Sequence, residues 1–550
     1  MNKLITNNQT TNFYNHITKL LLESKSFIFN VAFINFSGVQ LLLDVFSKLE
    51  NKNIKGKILT STYLNFTQIK ALEKLKEFSN IELKIYDCNE SNIGFHAKSY
   101  IFEFEDFYEV IVGSSNITAS AFKTNIEWNV KTTLKKEDEF LKNILNEFDN
   151  LWKDSFEVNE EFLRNYEFFV NQQKEQTFIY KQKIKTNFMQ KNALEKLEIL
   201  RQKDQTKALI IAATGSGKTY LSAFDVKNFK AKKMLFLVHR ENILINAKQS
   251  FENIIPNKTF GLFTGNKKEK NKDYIFSTIQ TMSLNFSEFG KNEFDYIIID
   301  EAHHVTSPSY KKVIDYFQSK FLLGLTATSN RMDGNSIYEI FDENIACDIR
   351  LNDALEHNLI VPFHYFGISD IKSIDYENVD LTKIDVLAKL LSVNKRVDYI
   401  IEQMNFYSFV GAKRKVIGFC VSKEHGTFMS EEFNKRGINS TFLSSEDSVL
   451  NRVKFIEKLE DDNDELEVIF TVDIFNEGVD IPSINTVLFL RPTNSPIVFI
   501  QQLGRGLRKY KNKEFLTVLD FIGNHKKAYL IALALAGNKA IDKDSLKLFL

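Results

Sequence analysis

Cysteine is scarce in this chain. Three cysteines occur in 550 residues, and no two of them form a C-x-x-C pair. This spacing excludes a disulfide framework and a thiolate zinc site, and it favours a reducing compartment. No apolar run approaches the roughly 18 residues of a membrane span, and the first residues lack the basic and apolar segments of a signal peptide. We therefore expect a cytoplasmic protein with no membrane partner.

The chain also lacks an excess of either charge. It has 71 Lys and Arg residues against 71 Asp and Glu residues, so the formal net charge is zero. Nucleic-acid-binding domains are usually basic, and this balance disfavours binding spread over the whole surface. A short groove with a few arginines stays compatible with it. Affinity for nucleic acid without nucleotide should then be modest and strongly dependent on salt.

Length and hydropathy divide the chain into a few folded units, three or four at roughly 150 residues per domain. Residues 1–156 alternate short β-rich runs with helical stretches, which indicates an α/β domain. Residues 157–185 show no strand pattern and form either a helical connector or a further part of the first domain. Residues 186–350 and 351–550 contain strands that are apolar throughout, which is typical of doubly wound parallel sheets.

A glycine-rich turn follows the first apolar strand of the second region. Strand Ala208–Ile211 leads into AATGSGKT, which matches the P-loop pattern G-x-x-x-x-G-K-[ST] except that Ala212 replaces the first glycine. The glycines let backbone N–H groups point at phosphate oxygens, and the following helix adds its positive end. Lys218 would reach the β- and γ-phosphates, and Thr219 would ligate Mg²⁺. The predicted nucleotide-binding residues of this turn are Thr214, Gly215, Ser216, Gly217, Lys218 and Thr219.

Two carboxylates end a later apolar strand, Tyr296–Ile299, as Asp300 and Glu301. Uncompensated carboxylates beside a core are costly. Mg²⁺ held by Asp300 and a water deprotonated by Glu301 would explain them. The sequence therefore predicts ATP and Mg²⁺ as cofactors. His303 is expected either to couple nucleotide to nucleic acid or to be structural, and His304 is expected to be structural.

Further motifs follow in the order and spacing of superfamily 2 helicases. Thr326–Thr328 resembles their motif III, and Phe470–Asp480 resembles motif V. Gln501–Arg508 resembles motif VI, Q-x-x-G-R-x-x-R. The resemblance covers about residues 186–530 and implies two tandem RecA-like domains of the DEAH type. ATP would close these domains on each other, and hydrolysis would reopen them.

The resemblance also assigns roles to single residues. Arg505 and Arg508 would stabilise charge on the transferring phosphate from the second domain, and Gln190 would bind adenine. Gly478 and Asp480 would contact the nucleotide. The implied catalytic residues are Lys218, Glu301, Arg505 and Arg508. The weaker implied contacts to nucleic-acid phosphates are His239, Arg240, Thr278 and Thr471. For the two hydroxyls the alternative is a cap at a strand end.

The first region resembles the phospholipase D signature, H-x-K-x₄-D-x₆-G-S-x-x-N or its G-S-x-N variant. His96 and Lys98 precede one strand, and Asn116 closes G-S-S-N after the next. The resemblance implies a metal-independent mechanism in which His96 attacks phosphorus. Lys98, Ser114 and Asn116 would hold the phosphate oxygens. The acid of the signature is either Asp106 or Glu103, because the hairpin is longer than the pattern requires.

A complete site of this type needs two histidines, and one such motif occurs in the chain. The H-x-K run at His525–Lys527 has no G-S-x-N after it. We therefore expect a homodimer through the N-terminal domain. The alternative is an inactive domain that binds DNA or a partner, with His96 merely hydrogen-bonded.

The stretches Pro362–Gly367, Ile417–Cys420 and Val518–Asn524 look like a bacterial group of superfamily 2 proteins with an N-terminal phospholipase-D-like domain. Longer members continue into a further domain, so this chain is either a short member or lacks a part beyond Leu550. The resemblance implies an ATP-driven DNA helicase or translocase joined to a nuclease, in restriction or antiviral defence. The alternatives are a repair or remodelling motor whose first domain only binds, and a nucleotide-sensing scaffold. The motifs do not separate DNA from RNA.

Overall fold

The structure of the chain is a computed structural model, and it forms two compact units, Met1–Lys181 and Gln182–Leu550. The residues that it describes are 2–8, 11–62, 66–88, 94–175, 186–265, 267–327, 337–374, 383–472, 481–492 and 496–522. None of the helices in this described part has the length and apolarity of a membrane-spanning segment.

The N-terminal unit is built on an eight-stranded mixed sheet in the order β1-β7-β6-β5-β2-β3-β4-β8. Its strands are β1 Lys3–Ile5, β2 Ser26–Val31, β3 Lys55–Ser61, β4 Ile81–Tyr86, β5 Lys98–Glu103, β6 Phe107–Gly113, β7 Asn129–Lys135 and β8 Phe156–Glu157. Strands β2, β3 and β4 pair in parallel, and the other pairs are antiparallel. The helices are α1 Phe13–Glu23, α2 Phe36–Asn51, α3 Ile69–Lys76, α4 Ala119–Lys123, α5 Glu139–Lys153 and α6 Glu160–Glu175.

Both faces of this sheet bury apolar side chains. Phe29 of β2 pairs with Tyr100 of β5, and their rings lie 4.9 Å apart on one face. Phe13 of α1 packs on that face with its ring 5.1 Å from Tyr100. Ile101, the next residue along β5, packs in a separate cluster with Leu141 of α5. Because neighbouring residues of a strand point to opposite faces, helices cover the sheet on both sides.

The segment that follows β8 packs within the N-terminal unit. Strand β8 pairs with β4, and α6 carries two buried residues, Leu163 and Tyr166. The Tyr166 hydroxyl donates to the carbonyl oxygen of Thr67 at 3.1 Å. Residues 156–166 thus pack within the N-terminal unit, whereas residues 176–185 lie outside the described part of the chain. Both roles considered for residues 157–185 stay predictions. The division of the whole chain into four segments stays a prediction.

The second unit contains two all-parallel sheets. The first has seven strands in the order β11-β12-β10-β13-β14-β9-β15, and the second has six in the order β16-β21-β20-β17-β19-β18. The strands are β9 Lys207–Ala212, β10 Met234–Val238, β11 Phe260–Phe263, β12 Tyr274–Thr278, β13 Tyr296–Asp300, β14 Phe321–Thr326, β15 Ile345–Ile349, β16 Phe363–Ser369, β17 Val416–Phe419, β18 Ser440–Leu443, β19 Val468–Thr471, β20 Thr486–Phe489 and β21 Leu516–Ile522.

Helices connect these strands. They are α7 Phe188–Gln202, α8 Lys218–Phe229, α9 Glu241–Ile254, α10 Ile279–Asn285, α11 Pro308–Tyr316, α12 Ile337–Ile340, α13 Leu351–Glu356, α14 Ile384–Leu391, α15 Asn394–Tyr407, α16 Lys423–Lys435, α17 Val449–Glu460 and α18 Pro496–Arg505. Strands β10 and β13 are buried along their whole length, as strands between two helical layers must be. The α/β fold with two tandem parallel-sheet domains is thus confirmed.

A buried ion pair fixes α7 against the first parallel sheet. Arg201 of α7 donates from both terminal nitrogens to the Asp225 carboxylate of α8, each at 2.9 Å. The Tyr296 hydroxyl at the start of β13 donates to the same carboxylate. Asp225 is fully buried, so its charge depends on these donors. The pair sets the position of α7, whose first turn reaches the P-loop.

We expect the substitution Asp225→Asn to destabilise the second unit by about 3 kcal/mol, because it leaves the Arg201 charge without its buried counter-ion. Both tryptophans of the chain, Trp128 and Trp152, lie in the N-terminal unit. Urea unfolding should therefore show a shifted circular-dichroism transition and an unchanged tryptophan-fluorescence transition. Glu288→Gln, which removes an exposed pair with Lys270, is the control and should leave both transitions unchanged. A circular-dichroism transition of Asp225→Asn at the same urea concentration as that of the wild type would contradict the stabilising role of this ion pair.

Candidate functional site

The P-loop connects β9 to α8 with two residues in left-handed backbone conformations. Gly215 has φ of 85° and Gly217 has φ of 95°, values that favour glycine. The Gln190 side chain donates to the carbonyl oxygen of Gly217 at 3.0 Å, and the Asn187 side chain donates to that of Ser216 at 3.3 Å. A Cβ atom on Gly217 would lie 2.8 Å from Gln190 Nε2. The first turn of α7 therefore holds this loop in shape.

Asn187 is a contact that the sequence analysis missed. Its side chain accepts the N–H of Gln190 at 2.8 Å, and the Gln190 side chain accepts the N–H of Asn187 at 2.9 Å. This reciprocal capping box is readable from the N-x-x-Q spacing. The predicted adenine residue Gln190 thus lies at the start of α7, where it also supports the P-loop.

Lys218, the first residue of α8, places its ammonium group inside the P-loop. Its Nζ atom donates to the carbonyl oxygens of Ala212 at 2.7 Å and Ala213 at 3.4 Å. Burial lowers the pKa of Lys218, while the charges of Glu301 and Asp300 act in the opposite direction. The lysine is therefore held close to both predicted carboxylates.

The carboxylates stand where β13 ends. The Glu301 N–H donates to Asp300 Oδ1 at 3.0 Å. Burial and the neighbouring Glu301 charge raise the pKa of Asp300 to about 6. Burial also acts to raise the pKa of Glu301, but the nearby His303 ring and the Lys218 charge outweigh it and hold that pKa low. His303 Nδ1 lies 3.3 Å from Glu301 Oε2 and 3.3 Å from Thr326 Oγ1 at the end of β14.

The predicted arginines of the second sheet reach the same place. The charges of Arg508 and Arg505 help to lower the pKa of Lys218. The Arg505 charge also acts to lower the pKa of Glu301 and opposes the rise in the pKa of Asp300. A Cβ atom on Gly215 would lie 3.1 Å from Arg508 Cγ. The P-loop, the carboxylates and the arginines thus form one charged site.

The side chains present fit a magnesium nucleotide. Lys218, Arg505 and Arg508 offer cations to a polyphosphate, and the Asp300 carboxylate and the Thr219 hydroxyl are oxygen ligands of the kind that Mg²⁺ takes. When bound, Mg²⁺ would offset the negative charge of the phosphate oxygens. The motif V residues Gly478 and Asp480 lie outside the described residues, as does Thr328 of motif III.

The predicted nucleic-acid contacts fall into two groups. His239 is exposed and Arg240 is half-buried where β10 ends. Thr278 instead caps α10, since its Oγ1 accepts the N–H of Thr281 at 3.3 Å, and this is the alternative considered for it. Thr471 is fully buried, and its Oγ1 has no hydrogen-bond partner within the described residues. The role of all four in nucleic-acid binding stays a prediction.

The N-terminal unit holds a second constellation at one end of β5 and β6. Lys98 Nζ lies 2.8 Å from His96 Nδ1 and also donates to the His96 carbonyl oxygen at 2.8 Å. Asn116 Oδ1 accepts the N–H of Phe33 at 3.2 Å. Ser99 of β5 pairs with Val112 of β6, so the start of β5 lies beside the G-S-S-N loop. The structure thus brings His96, Lys98 and Asn116 to one region.

Glu127 joins this group, and no sequence motif marked it. The Ser114 hydroxyl donates to its carboxylate, and the Trp128 N–H donates to Ser114 Oγ at 3.1 Å. Glu127 is 8% exposed. Burial lowers the pKa of Lys98, and the Glu127 charge opposes that shift. A buried carboxylate therefore faces the lysine expected to hold phosphate.

Which acid of the signature the chain uses, Asp106 or Glu103, stays a prediction. Glu103 is the last residue of β5. Its carboxylate accepts the Ser26 hydroxyl at 2.7 Å and lies 3.7 Å from Lys136 Nζ. Asp106 is exposed in the hairpin turn. The hydrogen bond with Ser26 ties Glu103 at the end of β5 to the start of β2.

Family profiles match three parts of the chain. Residues 17–152 match "Cardiolipin synthase, PLD-like domain", residues 183–331 match "Type III restriction enzyme, res subunit" and residues 395–510 match "Helicase conserved C-terminal domain". The chain joins a phospholipase-D-like domain to the two domains of a superfamily 2 helicase. The first helicase domain supplies the P-loop and carboxylates, and Arg505 and Arg508 come from the second.

Curated relatives match the helicase domains. The presumed ATP-dependent helicase IRC3 of Saccharomyces cerevisiae is 27% identical over 60% of this chain and 50% of its own. The presumed mitochondrial ATP-dependent helicase irc3 of Schizosaccharomyces pombe is 27% identical over 58% and 54%. The type I restriction enzyme EcoAI endonuclease subunit of Escherichia coli is 23% identical over 58% and 44%. The chain thus spans about half the length of these relatives.

We expect Gly504→Ala to lower kcat for ATP hydrolysis about tenfold. A Cβ atom there would lie 2.7 Å from Thr214 Cβ of the P-loop, and relieving such crowding costs about 1–3 kcal/mol, where about 1.4 kcal/mol is tenfold in rate. Gly265→Ala is the control, because nothing lies within 4 Å of its Cβ position. Steady-state hydrolysis measures both variants, and a wild-type kcat for Gly504→Ala would show that helicase motif VI does not meet the P-loop.

Proposed function

We propose that this protein is an ATP-dependent DNA helicase or translocase joined to a phospholipase-D-like nuclease, and that it acts in restriction. One observation supports the motor function most strongly. Arg505 and Arg508 lie in the same site as the P-loop Lys218 and the carboxylates of Asp300 and Glu301. Arg505 and Arg508, at and just after the end of α18, come from the second parallel-sheet domain, so that nucleotide binding and domain closure are one event. A site on a single domain would bind nucleotide without being coupled to movement.

The side chains divide the work of hydrolysis. Lys218 and the two arginines would stabilise the negative charge that spreads over the transferring phosphate. Glu301, whose pKa is held low, is ionised at neutral pH and can orient a water and accept its proton. Loss of the arginine contacts after hydrolysis would let the second domain move.

The name of one relative supports restriction as the setting. The EcoAI relative is an endonuclease subunit of a type I restriction enzyme, and the first helicase domain matches a family described as the res subunit of type III enzymes. Our proposal therefore includes DNA rather than RNA as substrate, the DEAH type of motor and a place in the cytoplasm. It also leaves room for a further domain or subunit.

We expect DNA to stimulate ATP hydrolysis by the wild-type chain, and Lys218→Ala to lower that rate by about a hundredfold or more, because phosphate charge loses its buried cation. The rate is measured with Mg²⁺ alone and with single-stranded DNA, duplex DNA and RNA. Lys248→Ala, which removes a half-buried lysine paired with Glu252 on α9, should behave as wild type. If no nucleic acid changes the rate of ATP hydrolysis by the wild-type chain, the proposed motor function is wrong. If RNA alone stimulates hydrolysis, the substrate is RNA and not DNA.

The N-terminal constellation supports phosphodiester cleavage without a metal. His96 would attack phosphorus to form a P–N bond, the P–O bond to the leaving nucleotide oxygen would break, and that oxygen would take a proton. Water would then hydrolyse the phosphohistidine. Lys98 and Asn116 would hold the phosphate oxygens, and Glu127 balances the Lys98 charge.

One contact favours a second candidate, in which this domain only binds DNA or a partner. The Lys98 ammonium can only donate, so at 2.8 Å it makes His96 Nδ1 an acceptor. The neutral ring then carries its proton on Nε2, and neither nitrogen presents a free lone pair. Cleavage requires that phosphate draw Lys98 away from the ring.

The proposed nuclease is a half-site that a second copy completes. The leaving oxygen needs a proton from a second group, and His96 of a second chain supplies it across a two-fold axis. An exposed apolar row lies beside the half-site: Leu4 of β1 pairs with Val130 of β7, which pairs with Val112 of β6. Their side chains are 49%, 47% and 51% exposed. Such a row on one sheet face suits burial against its own copy.

We expect the wild-type chain to cleave DNA in EDTA, and both His96→Ala and Val130→Glu to abolish cleavage. Val130→Glu should also turn a dimer into a monomer in analytical ultracentrifugation, because a charge on the apolar row opposes its burial. ATP hydrolysis should be unchanged in both. Lys142→Glu, exposed on α5, is the charge control. If the wild type cleaves no DNA under all DNA and ATP conditions, the proposed nuclease function is wrong and the domain that only binds is favoured. A monomeric wild type would contradict the site completed by a second copy.

A further inference from the structure

Three histidine rings form a continuous row from the surface of the second unit to Glu301. The His239 and His304 rings are stacked with centroids 5.1 Å apart and planes 29° apart. The His304 and His303 centroids are 4.2 Å apart. His303 Nδ1 lies 3.3 Å from Glu301 Oε2. The row thus ends on the carboxylate that we assign to the attacking water.

The two ends of the row lie on different elements. His239 is exposed at the end of β10, and its Nδ1 lies 3.3 Å from the Gln280 amide nitrogen of α10. Glu301 follows β13. Strands β10 and β13 are neighbours in the parallel sheet, so the stack bridges the loops that follow two adjacent strands.

The turn that carries Glu301 is a strained one. Glu301 has φ of 52° and ψ of 49°, and a short 3₁₀ turn, Ala302–His304, follows it. A non-glycine residue in this conformation is unfavourable and persists only where its surroundings hold it. His303 holds the turn through its contact with Thr326, and His304 holds it through its stack on His239. The direction of the Glu301 carboxylate therefore depends on both contacts.

We propose that His304 is a positioning residue that couples the exposed His239 to Glu301. The inference rests on the proposed motor function, and it adds the route by which nucleic acid on this face speeds hydrolysis. A strand that contacts His239 would fix the stack, and the stack would hold the turn in the conformation that aims Glu301 at water. A ring at position 304 is what the route requires.

The test compares His304→Asn, which keeps a polar group but loses the ring, with His304→Phe, which keeps a ring. ATP hydrolysis is measured without DNA and at saturating DNA, so that weaker DNA binding does not register. We expect His304→Asn to lower the ratio of stimulated to basal kcat about fivefold or more, with the KM for ATP unchanged. His304→Phe should restore most of the ratio. His239→Asn should lower it as well, and the double variant should be no worse than either single one.

Each other outcome overturns the coupling. A wild-type ratio in His304→Asn would show that the ring transmits nothing. An equal loss in His304→Asn and His304→Phe would assign the effect to a ring nitrogen and not to the stack. Additive losses in the double variant would mean that the two histidines act separately. If no nucleic acid stimulates ATP hydrolysis by the wild-type chain, both the proposed motor function and this inference are wrong.

If His304→Asn lowers the melting temperature of the second unit, the His239→Asn variant keeps the test decisive. His239 is exposed, so its replacement disturbs the stack from the solvent side and leaves the core in place. A ratio equal to that of wild type in a folded His239→Asn chain, at saturating DNA, would overturn the coupling by itself.

Discussion

Parallel pairing brings the carboxyl ends of neighbouring strands to one edge of a sheet, and the proposed motor depends on that constraint. Residues far apart in sequence meet there because their strands are neighbours: the P-loop follows β9, Glu301 follows β13 and Thr326 ends β14. A charged group such as Lys218 of the P-loop or Glu301 would not be stable alone at a buried strand end. The end of α18 in the second parallel-sheet domain brings Arg505 and Arg508 to the same edge, so the charged site is complete only when both domains contribute.

The two candidate sites use the same physical device. In each, a lysine is buried enough for its pKa to be lowered, and a buried carboxylate opposes that shift: Glu301 for Lys218 and Glu127 for Lys98. A lysine held in this way is a desolvated cation, which is suited to bind a phosphate oxygen. In our proposal the sites differ in how they are completed, the first by the second parallel-sheet domain and the other by a second chain.

Much of this could be predicted from local sequence, because each motif is a short run whose chemistry is set by its own residues. The strands of the parallel sheets are apolar throughout, and the P-loop is contiguous. Contacts between distant segments could not be predicted. Glu127 carries no motif and reaches Ser114 through the pairing of β6 with β7. The stack of His304 on His239 arises because β10 and β13 are neighbours, and the burial of Thr471 depends on packing around β19.

The most direct test of the central claim, that the ATP site spans both sheets, is steady-state ATP hydrolysis by an Arg505→Gln chain at saturating DNA, together with its equilibrium affinity for ATP. The account predicts a kcat lower by about a thousandfold, the effect of losing an arginine that stabilises the transition state, with ATP affinity retained through the P-loop. A kcat equal to that of the wild type would contradict it, because hydrolysis would then be the work of the first sheet alone.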